Sequence, residues 1–538
     1  MNPSFKHGDA EKKESSFVSL PQLLSDEEKA RFESQTMRSV DLHIIPIVSL
    51  LYSFALIDRI NLGAARTAGM GPALASLHFC LEIDACLTNS LAPRNWRPQS
   101  SIATVMYFIP YILLQIPGNL VVRKFGARNY LTFCAVGWGA VQLGMAFVPT
   151  WGYLTFCRVL LGLFEASFFP GIFYIISSWY TRYEVQKRLA FFYLMSLTIS
   201  GFSPILAYVF SLLDGKRGIA GWSWIFIIEG AITLFIGLAA FFLLPDFPEQ
   251  NTFLTPEQTA FVLQRVEDDR GDSVPEQITL RKVLHHLGDW TLWAYGEESC
   301  EIPQNTVTDR AAITGLMFMC CTLPAYALAY FISIILKGMG WSTTDALLLS
   351  APPYAPAFLS AVFFAWLSDK YRHRAGFIGI QGLISITGLC LTAFSTQNRV
   401  RYFGIFLLNA GSSGCIPSIL AYSANNVVGS SKRRVHLATG QPSLYAARMT
   451  YLYFSRRSIA SALTVAFGGV GGIIASTVYR EQDFPRYLPG LWVTLGAQFL
   501  LLFLVGMTSL HFTRLNRLAR AGKLAGPLEG QPGFFYTL

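Results

Sequence analysis

The chain has 538 residues, of which 52% are hydrophobic and only 14% are charged, and its formal net charge at pH 7 is +9. Soluble globular proteins carry about 25% charged residues, so this excess of apolar residues requires an environment such as a lipid bilayer. The basic residues lie between apolar runs rather than in one patch, which argues against a nucleic-acid interface. Composition therefore indicates a membrane protein without a nucleic-acid partner.

The first half of the chain predicts a polar segment followed by six membrane spans. Residues 1–41 are polar, so we expect a cytoplasmic N-terminal segment without a cleavable signal peptide. Ser25 and Glu28 have the spacing of a capping box and predict a short amphipathic helix. Residues 42–245 hold apolar runs of about 20 residues, the length that crosses a bilayer as a helix. The runs cover 42–62, 102–122, 130–148, 154–178, 189–213 and 224–244.

A hydrophilic cytoplasmic linker, residues 246–289, precedes a second set of six spans within 290–511. These spans lie near 316–336, 346–367, 375–394, 402–422, 458–479 and 488–511. Residues 512–538 form a cytoplasmic tail. Six plus six spans is the layout of two repeated halves. We therefore predict an all-α membrane protein with twelve transmembrane helices in two six-helix bundles.

Basic residues in the loops predict that both termini lie in the cytosol. This orientation puts most loop Lys and Arg residues on the cytoplasmic side, as the positive-inside rule requires. The exceptions are Lys216, Arg217, Arg399 and Arg401.

Two loops occupy the same place in each half, after the second and the eighth span. Their polar positions are Arg123, Lys124, Gly126 and Arg128 in the first loop and Asp369, Lys370 and Arg374 in the second. Both resemble the GxxxDRxGRR signature of the major facilitator superfamily, in which this loop holds the outward-open state through charge contacts. The second copy keeps the acid, whereas the first has Arg123 where the acid is expected. Positive-inside topology alone remains the alternative reading of both loops.

Longer segments resemble the fungal allantoate, nicotinate and pantothenate permeases, the anion:cation symporter branch of that superfamily. The first span carries VDLHIIPIVSLLYSFALIDRINLGAARTAGM, and the fourth carries RVLLGLFEASFFPGIFYIISSWY. The resemblance implies the major facilitator fold in a monomeric multi-pass protein of the fungal plasma membrane. It also implies proton-coupled uptake of a small organic anion by alternating access. The solute and the coupling ion remain open.

Charged residues inside the spans are the main candidates for substrate or proton binding, because charges at membrane depth tend to face a cavity or a partner. Arg158 and Glu165 lie seven residues apart and so share one helix face, with Gly162 between them. An arginine can fork onto a carboxylate, which makes Arg158 the candidate for an anionic solute. A buried acid, Glu165 or Glu229, is the candidate proton carrier. Structural ion pairing remains the alternative.

Other polar residues of the spans are further candidates. Asp58, Arg59 and Asn61 lie together in the first span, where they bind solute or form a latch at the helix end. Tyr326 follows Pro324, which can kink the seventh span toward the cavity. The remaining candidates, Asn425 and Asn426, end the tenth span and either bind solute or satisfy the helix end. The glycine-rich run 467–472 lies in an apolar span, and we interpret it as a close helix contact.

No recognisable catalytic or nucleotide-binding motif is present in the sequence. It holds no G-x-x-x-x-G-K-[ST], H-E-x-x-H or G-x-S-x-G pattern, and its cysteines lack metal-ligand spacing. We therefore expect neither an enzyme nor a bound cofactor or metal. The partners we expect are a small solute, protons and lipid.

Three segments interrupt the family resemblance: 72–100, 297–315 and 435–456. We interpret them as translated introns or errors of the gene model, and the second is expected to interrupt the seventh span. Two alternatives to a working transporter remain open. One is a non-transporting nutrient receptor on the same fold, and the other is an inactive product of a gene model with retained introns. A spliced transcript that retains all three segments would contradict the intron interpretation.

Overall fold

A computed structural model of the chain describes residues 25–71, 73–74, 96–270, 305–371, 373–426, 464–480, 483, 486–523 and 536. Throughout these residues the backbone is helical or irregular, without a strand. Among them, eight helical segments are long and apolar enough to cross a membrane, two of them with a short break, and three shorter apolar helices accompany them. The predicted all-helical architecture is confirmed.

The N-terminal half contains eight helices that supply spans one to six. They are α1 Asp26–Thr67, α2 Trp96–Phe125, α3 Ala127–Met145, α4 Trp151–Glu165, α5 Phe168–Trp179, α6 Arg182–Ser200, α7 Ser203–Ser211 and α8 Gly221–Leu243. Spans four and five were each predicted as one run, but the structure divides them into α4–α5 and α6–α7. Pro170 and Pro204 lie four residues after Ala166 and Ser200, at the two breaks, and leave the carbonyls of those residues without a helical donor.

The linker and the C-terminal half contain the remaining helices. They are α9 Pro256–Arg270, α10 Asn305–Gly338, α11 Thr343–Leu348, α12 Tyr354–Tyr371, α13 Arg374–Phe394, α14 Asn398–Asn426, α15 Thr464–Val478 and α16 Leu488–Arg520. α11 and α12 together form the eighth span, which the pair Pro352–Pro353 divides.

Two predictions for helix starts need correction. Ser25 and Glu28 form the capping box, since each side chain accepts the other residue's backbone N–H, at 3.0 and 3.4 Å. The helix that follows is not a separate short one, because α1 continues for 42 residues into the first span. Residues 305–315 are helical at the start of α10, so this part of segment 297–315 extends the seventh span. Residues 75–95, 297–304 and 435–456 lie outside the described residues.

Equivalent helices pair in the two halves. α3 packs on α8 and α2 on α4, and correspondingly α13 packs on α16 and α12 on α14. This repetition is the pattern of a transporter built from two repeated bundles. We call the end at which α1 begins and α16 ends the terminal end, and the opposite end the distal end.

The halves meet in the distal half of the molecule. Thr67 at the end of α1 donates a hydrogen bond to Ser333 of α10, with an Oγ1–Oγ distance of 2.9 Å. A Cβ atom on Gly63 would lie 2.5 Å from the carbonyl oxygen of Tyr330, so the two backbones touch there. Gly201, directly after α6, lies close to the side chain of Tyr354 in α12, because a Cβ atom there would lie 2.9 Å from the Tyr354 Cβ.

Candidate functional site

Arg59 and Glu165 form a buried ion pair between α1 and α4. The Nη2 atom of Arg59 donates to Oε1 of Glu165, and each side chain is only 6% exposed. Both residues were predicted as site candidates, but the sequence analysis expected Glu165 to share a cavity with Arg158. In this structure Arg59 is the cationic partner of Glu165.

Tyrosines complete the surroundings of this ion pair. Arg59 donates from Nε to the Tyr107 hydroxyl at 3.1 Å and from Nη1 to the Tyr326 hydroxyl at 3.2 Å. The Tyr107 hydroxyl donates in turn to Oε2 of Glu165 at 2.5 Å. The guanidinium carbon lies 5.3 Å from the ring centroid of Tyr111, within range of a cation–π interaction. The charge of Arg59 is thus satisfied on several sides, and Tyr326 brings the C-terminal half into the site.

Arg158 is buried without such partners. It is 2% exposed, and its Nε and Nη2 atoms make no hydrogen bond with any described residue. Its charge interacts through space with Asp58 and Glu165 and with the hydroxyls of Tyr107 and Tyr330. Burying an incompletely paired charge is costly, so Arg158 differs from Arg59 in having hydrogen-bonding capacity that the described residues do not use.

Two buried acids also lack hydrogen-bond partners. Both carboxylate oxygens of Asp58 on α1 and of Glu229 on α8 are buried without a donor among the described residues. The two acids interact through space with each other. Asn61 and Trp138 adjoin Asp58, but neither the Asn61 amide nitrogen nor the Trp138 indole nitrogen makes a hydrogen bond with any described residue. An unpaired buried carboxylate is unfavourable, and binding of a proton relieves that cost.

Glycine allows the helices around the site to approach. A Cβ atom on Gly162 would lie 2.1 Å from the carbonyl oxygen of Tyr107, so Gly162 admits α2 rather than solute. In the glycine-rich run, a Cβ on Gly472 would lie 2.1 Å from the Phe108 ring. The predicted close helix contact of residues 467–472 is therefore present.

The remaining candidates fall at the terminal end. Asn425 and Asn426 end α14, as expected, but their side chains lie outside the described residues, as do those of Arg123, Lys124 and Asp369. Gly126 separates α2 from α3 with φ 85°, a conformation that favours glycine. Among the loop cations, Arg128 lies over the Phe241 ring at 5.5 Å, and Lys370 lies over the Trp366 ring at 4.9 Å.

Sequence reasoning missed an acid at this loop. Asp246, directly after the sixth span, accepts a hydrogen bond from the first N–H of α3, with an Ala127 N–Oδ1 distance of 3.1 Å. Its carbonyl accepts from Nε1 of Trp179 at 3.1 Å. The first loop lacks its own acid, and Asp246 instead neutralises the N-terminus of α3.

A polar network at the terminal end was also missed. Arg188 donates to both carboxylate oxygens of Asp41, at 2.7 and 3.1 Å, and Tyr180 donates to the same carboxylate at 2.7 Å. Burial and the neighbouring charge of Asp41 raise the pKa of Tyr180, so its hydroxyl remains a donor. The two Nη atoms of Arg265 in α9 donate hydrogen bonds to the two carboxylate oxygens of Glu184, at 3.0 and 3.1 Å. The linker helix is therefore fastened to the N-terminal bundle.

The sequence spacing of the site tyrosines indicates that they share helix faces. Tyr107 and Tyr111 on α2, and Tyr326 and Tyr330 on α10, are each four residues apart. This spacing puts each pair on one helix face, and both pairs stack, with centroid distances of 5.6 and 6.4 Å.

Comparison with known families agrees with this architecture. The family model of the Major Facilitator Superfamily matches residues 95–476. The chain belongs to the major facilitator superfamily. Among curated members, it is similar to the MFS transporter prlL of Fungal sp. (strain NRRL 50135), with 26% identity over 503 residues that cover 92% of this chain and 89% of that protein. It is also 25% identical over 489 residues to the high-affinity nicotinic acid transporter of Saccharomyces cerevisiae, covering 90% and 79% of the two chains.

Solved structures of the superfamily share the fold. A D-xylose-proton symporter matches with a TM-score of 0.56 and 15% identity over 86% of this chain and 97% of that one. A bacterial homologue of the human lysosomal transporter Spinster, in an inward-facing and occupied conformation, matches with a TM-score of 0.56 and 13% identity over 88% and 97%. At these identities the likeness establishes the fold of this major facilitator protein and not its solute.

Proposed function

We propose that this major facilitator protein takes up a small organic anion together with protons. The observation that carries the proposal is Arg158, a buried guanidinium with two unbonded nitrogen atoms. A carboxylate solute would supply the missing acceptors in a forked arrangement. The similarity to a nicotinic acid transporter supports a carboxylate solute and the allantoate-permease branch.

The buried charged residues fall into a paired group and an unpaired group, which supports separate binding sites for the solute and the proton. Glu165 is held by Arg59 and Tyr107, so we now assign it a positioning role instead of proton transfer. Asp58 and Glu229 keep four unbonded oxygen atoms between them and become the proton carriers. Protonation of Asp58 would weaken its attraction for Arg158 and leave that guanidinium to the solute anion.

Alternating access would proceed by rocking of the two bundles around this site. Tyr326 accepts from Arg59 across the bundle interface, and the bundles touch distally at Gly63 and Tyr330. Opening of the distal side would break these contacts, and the loops at Arg128 and Lys370 would act as gates at the terminal end. We place the terminal end in the cytosol and the protein in the plasma membrane.

The test is uptake of radiolabelled solutes by yeast cells that produce the full chain. A panel of labelled carboxylates is compared with the matching neutral amides, for the native protein and for Arg158→Ala. We expect accumulation of at least one carboxylate and not of its amide. Loss of a buried, hydrogen-bonded charge partner costs about 2–5 kcal/mol, so Arg158→Ala should lower uptake by about thirtyfold or more.

Arg399→Gln is the matched control, because Arg399 is exposed at the distal end of the C-terminal bundle. It should transport normally. Surface biotinylation should show equal amounts of all variants. Accumulation of neutral solutes alone, or normal carboxylate uptake by Arg158→Ala, would refute the anion proposal.

A further inference from the structure

Helix α3 lies against the two helices that carry the proposed proton-binding acids, Asp58 on α1 and Glu229 on α8. The side chain of Trp138 on α3 adjoins Asp58, and α3 packs on α8. The two acids interact with each other through space. The three helices therefore converge on one buried region, and the proposed transport cycle assigns no role to α3.

Two buried side chains of α3 have hydrogen-bonding groups that no described residue uses. The indole nitrogen of Trp138 and both amide atoms of Gln142 make no hydrogen bond with any described residue. The two residues are 1% and 0% exposed. The Trp138 ring is held by an edge-to-face contact with Phe168, at a centroid distance of 4.8 Å. A buried N–H group without an acceptor is unfavourable, so both side chains have a donor available for a carboxylate.

The helix register places these two donors at the levels of the two acids. Trp138 and Gln142 are four residues apart and therefore share one face of α3. A Cβ atom on Gly230, the residue after Glu229, would lie 2.6 Å from the backbone nitrogen of the residue after Gln142. Gln142 thus lies at the level of Glu229, while Trp138, one helical turn away, adjoins Asp58.

The charged groups that act on Asp58 are Arg158 and Glu165 of α4 and Glu229 of α8, and Asp58 in turn acts on Glu229. Two neighbouring carboxylates disfavour each other's ionised form, whereas a hydrogen bond to a carboxylate favours that form. In the proposed cycle Arg158 binds the solute anion. Uncharged donors on α3 would stabilise the ionised acids independently of Arg158.

We propose that Trp138 and Gln142 are positioning residues that determine the proton affinity of the two acids. The indole N–H of Trp138 would donate to ionised Asp58, and the amide N–H of Gln142 would donate to ionised Glu229. Binding of a proton to either carboxylate removes its charge and weakens the hydrogen bond from α3. This inference rests on the proposed function, because it takes Asp58 and Glu229 as the proton carriers.

The experiment follows the protonation of each acid by infrared spectroscopy of the purified full-length protein over a pH series, without solute. A protonated carboxyl group and a carboxylate absorb at different frequencies. The band that is absent from Asp58→Asn therefore reports on Asp58, and the band that is absent from Glu229→Gln reports on Glu229. Because the acids interact, Trp138→Phe is measured in the Glu229→Gln protein, and Gln142→Leu is measured in the Asp58→Asn protein.

Each α3 variant is expected to raise the pH at which its acid is half protonated. Loss of a hydrogen bond to a charged group changes the proton affinity by about tenfold or more, which is about one pH unit or more. Trp138→Phe should show this shift for Asp58, and Gln142→Leu should show it for Glu229. Loosened packing would admit water, which favours the ionised form and moves the half-protonation pH in the opposite direction.

Two matched controls should leave the half-protonation pH unchanged. Trp222 is also buried, has an unbonded indole nitrogen and contacts the Phe226 ring edge-to-face, so Trp222→Phe is measured in the Glu229→Gln protein. Gln381 of the C-terminal bundle is buried with both amide atoms unbonded among the described residues, so Gln381→Leu is measured in the Asp58→Asn protein.

The possible results separate this inference from the proposed function. If no band of Asp58 or Glu229 titrates in the native protein, the assignment of the proton carriers and the inference both fail. If the bands titrate but the half-protonation pH is unchanged or lower in both α3 variants, only the inference fails. A rise for one acid alone would refute the role of the other donor, and equal rises in the matched controls would refute both roles.

Discussion

The two bundles share a pattern of helix pairs but differ in what they bury. Among the described residues, the buried charged side chains all lie in the N-terminal half: Asp58, Arg59, Arg158, Glu165, Glu229 and Asp246. The buried polar residues of the C-terminal half are uncharged, such as Gln381, Asn409 and Gln498. Buried charge is costly in a membrane, so its concentration in one bundle indicates that the two bundles have different roles.

Under the proposed function, the N-terminal bundle binds the proton and the anion, and the C-terminal bundle supplies uncharged aromatic residues that face this site. Tyr326 and Tyr330 are these residues at the bundle interface. Because these residues are uncharged, the C-terminal bundle can move relative to the N-terminal bundle without breaking a buried ion pair. Each prediction below pairs a change in the first bundle with a matched change in the second or across the interface.

The largest effect is expected for the double variant Asp58→Asn/Glu229→Gln. One proton contributes about 1.4 kcal/mol per pH unit, or about tenfold accumulation, and the variant should lose this concentrating ability. Exchange of labelled for unlabelled solute across equilibrated membranes should persist. Gln381→Leu in the C-terminal bundle should keep its pH-dependent accumulation. Persistence of uphill uptake in the double variant would show that the proton binds elsewhere.

The second-largest effect is expected on the thermal stability of the Glu165→Gln variant. Glu165→Gln leaves Arg59 charged without its anionic partner, which costs about 3–5 kcal/mol for a buried pair. Gln498→Leu removes only a neutral hydrogen bond to the Cys320 carbonyl, of 2.7 Å, worth about 1 kcal/mol. Tm of the purified proteins should therefore fall more for the first variant. Arg59→Met/Glu165→Met should recover part of the loss, and equal Tm values for the two single variants would contradict the asymmetry.

A third comparison uses two closely packed glycines, one in span four and one in span ten. Gly162→Ala would place Cβ 2.1 Å from the Tyr107 carbonyl, and Gly411→Ala would place it 2.6 Å from the Gln381 carbonyl. Overpacking of this kind costs about 1–3 kcal/mol. Gly162→Ala should shift Tyr107 away from Glu165 and lower the maximal uptake rate, whereas Gly411→Ala should lower Tm alone. Uptake per folded molecule, measured in proteoliposomes, separates the two outcomes.

The smallest effect is expected across the interface. Tyr326→Phe removes one hydroxyl that accepts from Arg59, at a cost of about 1 kcal/mol or about fivefold in KM. Tyr107→Phe removes a hydroxyl that accepts from Arg59 and also donates to Glu165, so its effect should be larger. Initial uptake rates over a range of solute concentrations measure both. The opposite ranking would place Tyr326 in direct contact with the solute.

Several features could be predicted from the sequence because they depend on local patterns. Apolar runs near 20 residues predicted the spans, and the Ser25–Glu28 spacing predicted the first capping box. Residues 305–315 were expected to interrupt the seventh span, but they are helical and extend α10. A run of polar residues can still be helical where a transmembrane helix continues beyond the bilayer.

The sequence by itself determined which helices carry charge, since Arg158 and Glu165 share a face through the period of the helix. Only the tertiary structure decided the partners. Glu165 pairs with Arg59, 106 residues away, and Arg59 bonds to Tyr326, 267 residues away. The period of a helix determines which residues lie on the same face of that helix. It does not determine which residue of another helix contacts that face, because this depends on how the helices pack. That packing leaves the Nε and Nη2 atoms of Arg158 without a hydrogen bond to any described residue, whereas Arg59 is hydrogen-bonded through all three nitrogen atoms.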